Sequence, residues 1–297
     1  MNIEHFKGKT FLVTGATGFI GSNLIKKLLL LGAEVIAIIH NKQSSNSLIE
    51  EIRYDGTYDS IYHPLENKKV DGIIHLATMF LSKHRIDQIS DLIDSNIKFG
   101  AFLLEVAKIK KIPFFINTTT YAQFYDHNGY NPQNFYAATK QSFEDIVKYY
   151  EVDSDVFILT LELTDTYGDG DPRPKFINQL LNAIQNNLTF KMSKGEQEIN
   201  YLNVEDASDA FITAIKLIMN KKLETGKHFS VFGNETYKLI DLVHLVCSNL
   251  NSNISIDNEY YPYRNREIMK YEPTYTKLPS WNAKISLLEG ISKLISK

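Results

Sequence analysis

Residues 14–21, T-G-A-T-G-F-I-G, set three glycines at intervals of three between a short apolar run and a helical pattern. Before them, T-F-L-V-T at 10–14 reads as a buried strand. After them, the stretch from Ile20 to Leu31 has helical spacing and stops at Gly32, a C-terminal cap. E-V-I-A-I-I-H at 34–40 follows as a second buried strand. Strand, helix and strand within about 30 residues make the βαβ unit of a parallel sheet. At the turn, Gly15, Gly18 and Gly21 allow close backbone approach and leave N–H groups free at the helix start, where the helix dipole favours an anion.

The alternation persists. G-I-I-H-L-A at 72–77, a helical pattern from about 91 to 110, P-F-F-I-N-T-T at 113–119, a helix beginning near Tyr136 and V-F-I-L-T-L-E-L at 156–163 continue the series. Repeated βα units with apolar strands predict an α/β, doubly wound parallel Rossmann sheet. After Gly168 the sequence D-G-D-P-R-P breaks the rhythm, so residues 1–167 read as a dinucleotide-binding domain and 168–297 as a smaller, interleaved α/β substrate-binding region. In that setting the anion at the glycine turn is the pyrophosphate of a dinucleotide, with Gly15, Thr17, Gly18, Phe19, Ile20 and Gly21 around it. An acid ending the second strand would select NAD, but this strand ends His40-Asn41-Lys42. A lysine there suits a 2′-phosphate and favours NADP(H), with NAD(H) left open.

Composition narrows the partners. A formal charge of -3 over 297 residues gives no general pull toward nucleic acid or an anionic membrane. The start lacks the apolar core of a signal peptide, and apolar strings such as L-L-L-L at 28–31 are too short to span a bilayer. The single cysteine, Cys247, precludes an intramolecular disulfide and falls in the apolar pattern D-L-V-H-L-V-C, where it reads as a core residue. A soluble cytoplasmic protein is expected, and no metal site is read from the sequence.

Among the seventeen tyrosines only Tyr136, in N-F-Y-A-A-T-K, has a lysine four positions on, Lys140, which puts both on one helix face. With the glycine turn, H-L-A-T at 75–78 and T-T-T at 118–120, it comes at successive strand ends. In these residues the chain resembles the extended short-chain dehydrogenase/reductases, which act mostly on nucleotide sugars. R-N-R-E-I-M at 264–269 and L-P-S-W at 278–281 extend the likeness to the C-terminal part, and the branch most resembled is that of the CDP-abequose and CDP-paratose synthases. The resemblance implies that Tyr136 protonates a developing alkoxide, Lys140 lowers the phenol's pKa and bonds the nicotinamide ribose, and Thr120, with Thr119 as the other register, orients the carbonyl. It further implies cofactor contacts from Leu76, Ala77, Thr78, Asn96 and Thr118. Met79, Thr120, Asp165, Lys175, Arg264 and Glu267 are the implied substrate contacts.

Dehydratases of the family carry an Asp-Glu pair after the threonine; here Tyr121 and Ala122 follow. That leaves an NADP(H)-dependent 4-keto reductase of a nucleotide-activated deoxysugar, serving surface polysaccharide synthesis, as the expected activity. An NAD-dependent 4-epimerase using the same residues and a non-catalytic dinucleotide-binding protein are the alternatives. The chain departs from the family's pattern at Ile199 and Glu162, where arginine is common, and at Asp165, where a neutral polar residue is usual. Carboxylates near a pyrophosphate weaken its binding. The family often forms a homodimer through helices equivalent to those near 91–110 and 136–150, which the sequence alone does not show for this chain.

Overall fold

In the computed structural model, which describes residues 5–40 and 46–295, the apolar runs become the middle of a sheet. Strands β1 (Thr10–Thr14), β2 (Glu34–Ile39), β3 (Glu50–Arg53), β4 (Gly72–His75), β5 (Phe114–Thr120) and β6 (Phe157–Leu163) alternate with helices α1 (Phe19–Leu30), α2 (Asp59–Leu65), α3 (Ile89–Ile93), α4 (Phe99–Ile109) and α5 (Phe135–Asp153). Then come β7 (Asp165–Tyr167), α6 (Phe176–Gln185), β8 (Phe190–Lys191), β9 (Glu198–Asn203) and α7 (Val204–Met219). The order closes with β10 (Lys227–Val231), β11 (Thr236–Lys238), α8 (Leu239–Asn249), β12 (Ile256–Asp257) and α9 (Leu287–Ile295). Among the described residues the main sheet runs β10-β6-β5-β4-β1-β2-β3, and its printed pairings are all parallel. This is the doubly wound Rossmann sheet, completed by a strand from beyond residue 168.

Alternation along the strands distributes the core. On β1, Phe11 and Val13 join the layer built with Leu24 and Leu28 of α1 and Phe211 and Ile215 of α7. Leu12 faces the opposite layer, with Leu103 and Leu104 of α4 and Phe143 and Val147 of α5. Successive side chains on a strand point to opposite faces, so both faces of a parallel sheet are covered. A third cluster joins α6, α8 and α9 and contains Cys247, the core position expected for it. Trp281 of L-P-S-W is buried and donates its indole N–H to the Asp206 carbonyl at 3.2 Å, tying the C-terminal segment to α7.

Two local readings change. The helix expected from 91 to 110 is interrupted by a π-helical turn at Asp94–Lys98, where one extra residue per turn rotates Asn96 inward. The short edge strand β3 and α2 carry too few apolar residues in series to announce themselves. Among the described residues no helix is long and apolar enough to cross a membrane.

Candidate active site

The glycine turn forms the floor of a cavity of about 1010 Å³ along the C-terminal ends of the central strands. Gly15 has φ +67°, and a Cβ there would stand 2.8 Å from the Ala77 nitrogen. A Cβ on Gly21 would overlap the Gly15 carbonyl. Side chains are therefore excluded where the loop after β4 crosses the turn. Gly18 caps α1 without any side-chain hydrogen bond, so no side chain satisfies the first-turn N–H groups from that position, and they remain suited to an anion. Gly15, Thr17, Gly18, Phe19, Ile20, Gly21, His40, Leu76, Ala77, Thr78 and Met79 all wall this cavity. Asn41 and Lys42 lie outside the described residues.

The loop after β4 is fixed from below. Thr14 Oγ1 accepts from the backbone N–H groups of Leu76 and Ala77, both at 3.1 Å, and lies 2.8 Å from His75 Nδ1. Complete burial pushes the His75 pKa down to about 3, with the Lys140 charge adding to the effect, so the imidazole is neutral. Asn96 is engaged within the protein: its Oδ1 accepts from Thr78 Oγ1 and Met79 N, and its Nδ2 donates to the Met79 carbonyl and Thr139 Oγ1. It does not form part of the cavity wall. Buried to 1%, it is not solvated; it holds the loop to α5.

Beside this cavity lies a smaller one of about 150 Å³, and the two share Ile20, Leu76, Thr78, Phe80 and Arg173. Thr118, Thr119, Thr120 and Tyr136 wall the smaller one. The three threonines differ in their hydrogen bonding. Thr118 donates to the His75 carbonyl at 3.1 Å and Thr119 to Gln123 Oε1. Thr120 Oγ1 accepts from Ala122 N at 3.3 Å, which leaves its own proton for a ligand. α5 is capped by Asn134, whose side chain accepts from Ala137 N at 2.9 Å, and this cap places Tyr136 at the rim.

Burial pushes the Tyr136 phenol up to about 12; its hydrogen bond to Thr78 works the other way, and the Asp165 charge adds to the rise. The expected lowering by Lys140 is thus not what acts on the phenol here, because desolvation dominates. Lys140 sits one turn further along α5, 2% exposed and behind the wall. Burial brings its ammonium down to about 8, partly offset by Glu144.

On the substrate side Asp165 and Lys175 both wall the smaller cavity and pair with each other at 3.0 Å. Tyr121 donates its hydroxyl to the same carboxylate at 2.9 Å. Burial raises the Asp165 pKa, but Lys175, Tyr121 and Arg173 together hold it below the usual carboxylate value. Asp165 thus occupies the Lys175 ammonium. Glu162 does not. It is buried in β6, accepts from Ser230 Oγ at 2.6 Å and Thr274 N at 3.1 Å, and walls neither cavity. Arg264 and Glu267 also stand outside both walls, joined by backbone and side-chain bonds of 3.2 Å in an outer loop.

Several wall residues are not legible as site residues in the sequence, Arg173, Phe80 and Asp55 among them. Arg173 lies at the junction, its guanidinium 4.7 Å above the Phe19 ring and held by Asp171 and Thr166. Its signal was the break D-G-D-P-R-P, read only as punctuation. Phe80 and Asp55 also line the space; Asp55 follows the overlooked β3.

Comparison with known proteins agrees with this geometry. Residues 11–231 match the NAD dependent epimerase/dehydratase family. The chain is 27% identical to CDP-abequose synthase of Yersinia pseudotuberculosis over 96% of its length and 99% of that protein. It is 28% identical to CDP-abequose synthase of Salmonella typhimurium, covering 96% and 97%. Its fold is similar to UDP-glucose 4-epimerase of Thermotoga maritima, solved with UDP-glucose (TM-score 0.83, 18% identity, 97% of both chains). It is also similar to UDP-glucuronic acid 4-epimerase of Bacillus cereus, solved with UDP-glucuronic acid and NAD (TM-score 0.82, 20% identity, 97% and 98%). With the glycine turn, the tyrosine–lysine helix and a family match spanning most of the sheet, the chain belongs to the NAD dependent epimerase/dehydratase family.

Proposed function

We propose that this enzyme reduces the C4 keto group of a nucleotide-activated 6-deoxy or 3,6-dideoxy sugar with NADPH, in the synthesis of a surface polysaccharide. The observation that carries the reading is the shared wall: a cavity holding Thr120 and Tyr136 opens beside one built on the glycine turn. The likeness to CDP-abequose synthases over nearly the whole chain supports a sugar of this class. Gly15 and Gly21, where a Cβ would clash, and the first turn of α1 would hold the dinucleotide phosphates. The absence of an acid in His40-Asn41-Lys42 after β2, with a lysine suited to a 2′-phosphate, favours the phosphorylated cofactor.

When bound, the reduced nicotinamide supplies a hydride. Tyr136, protonated at neutral pH, donates its phenolic proton to the oxygen that becomes the C4 hydroxyl. Thr120 donates a hydrogen bond to the same oxygen and fixes its direction. Lys140, one turn further along α5, would bond the nicotinamide ribose, the role its likeness to the family implies.

The test is direct. Purified protein with NADPH and a panel of CDP-, dTDP-, GDP- and UDP-linked 4-keto-deoxysugars should oxidise the cofactor with at least one of them. No oxidation across the panel, with NADPH demonstrably bound, would overturn the reductase.

A further inference from the structure

Behind the catalytic wall runs a chain of buried polar side chains that the reaction above leaves unused. Tyr136, Lys140 and Glu144 follow one another at intervals of four along α5, which puts all three on one buried face. Glu144 Oε2 accepts from Gln123 Nε2, and Gln123 Oε1 accepts in turn from Thr119 Oγ1. Glu144 Oε1 lies 3.2 Å from Nε2 of His228, on the edge strand β10. The Glu144 side chain is 7% exposed and that of His228 27%, so the path leads from the catalytic helix to solvent.

A carboxylate buried this far needs positive charge beside it. Two cations are in reach. Lys140 feels the Glu144 charge from one turn back, and His228 touches it directly. Other groups facing this network are Glu151 on α5, Glu162 on β6 and Tyr275 of the C-terminal segment, whose ring is 4.9 Å from the His228 ring. Burial works against the His228 charge, but Glu144, Glu151 and a backbone contact at Gly226 raise its pKa above the usual value. On the far side of Lys140 stands neutral His75. Glu162 is itself pushed toward its neutral form by burial and, more weakly, by Glu144.

We propose that Glu144 is a positioning residue which keeps the Lys140 ammonium charged, and that His228 competes for the same carboxylate and so couples the catalytic lysine to the protonation of a solvent-facing imidazole. This goes beyond the reductase reading and rests on it only for the role of Lys140. The geometry is specific: one carboxylate with one oxygen accepting from Gln123 and the other 3.2 Å from His228 Nε2, and a lysine on the same helix face.

The test has one arm that needs no substrate. His228 is titrated by NMR in the wild type, Glu144→Gln and Lys140→Met. Glu144→Gln should lower the His228 pKa, and Lys140→Met should raise it, because the competitor is gone. In the second arm the alkaline limb of kcat/KM for 4-keto reduction should move down by about one pH unit in Glu144→Gln, as removal of a nearby opposite charge makes the lysine easier to deprotonate. An unchanged His228 titration in Lys140→Met, or an unmoved alkaline limb in Glu144→Gln, would overturn the coupling. Should Glu144→Gln fail to fold, the Lys140→Met titration decides alone. Should no sugar be turned over, the reductase reading fails while the NMR arm still gives its answer.

Discussion

The ring of Phe80 meets the ring of Tyr136 edge to face, 5.0 Å between centroids and 81° between planes. Lys175 lies on the other side of this contact, its ammonium 4.5 Å from the Phe80 centroid. Phe80 thus packs on Tyr136 with one surface and on the Lys175 ammonium with another. Such an aromatic pair contributes about 0.5–1.5 kcal/mol beyond its buried area. Phe80→Ala should lower kcat by roughly three- to tenfold through a less ordered Tyr136. Dinucleotide affinity, followed by NADPH fluorescence, should fall as well, since Phe80 lines both cavities.

Tyr136→Phe should reduce kcat by about a hundred- to ten-thousandfold, the range for loss of a positioned acid. Thr120→Val should act in the same direction, since its hydroxyl proton is the one left for the substrate. Thr119→Val should instead lower the melting temperature, because Thr119 donates into the Gln123 network. Kinetics and thermal melts of the pair separate the two registers; equal kinetic damage from both would contradict the assignment.

Lys140 links function to a stability cost. Its ammonium titrates near 8 in the folded chain and near 10.5 when unfolded, so between these values the unfolded state binds more protons and stability rises with pH. Below pH 8 the buried charge costs on the order of 3 kcal/mol. Lys140→Met should therefore melt higher than wild type at pH 7 while losing turnover. The advantage should shrink as pH rises toward 10.5.

For Glu162 the sign is opposite. Burial raises its pKa above 4.5, so the folded state holds the proton more tightly and stability falls as pH rises from 4.5 through the folded value. Glu162→Gln keeps an oxygen for Ser230 and Thr274 and removes the charge. Melting curves should show the variant more stable at pH 7 and matched to wild type below pH 4.5.

Arg173→Ala should weaken dinucleotide binding tenfold or more, an order of magnitude being about 1.4 kcal/mol, because the guanidinium spans both cavities above Phe19. Arg173→Lys should recover little, since a lysine cannot keep the two-nitrogen grip on Asp171. Titration with NADPH measures both.

The sequence by itself determined the sheet and the glycine turn. Apolar runs such as T-F-L-V-T and E-V-I-A-I-I-H can be satisfied only by burial on both faces, and Gly15 and Gly21 mark backbone approaches that a Cβ would block. Local spacing likewise put Tyr136, Lys140 and Glu144 on one side of α5. Tertiary structure alone decided what those residues meet. Asn96 turned inward on a π-helical turn, Asp165 took up Lys175, Glu162 left the site for Ser230 and Thr274, and Arg173 closed over Phe19 from beyond residue 168. Charges and desolvation act through space, so residues 60 or more positions apart, such as Glu144 and His228, set one another's chemistry with no trace in the spacing of either.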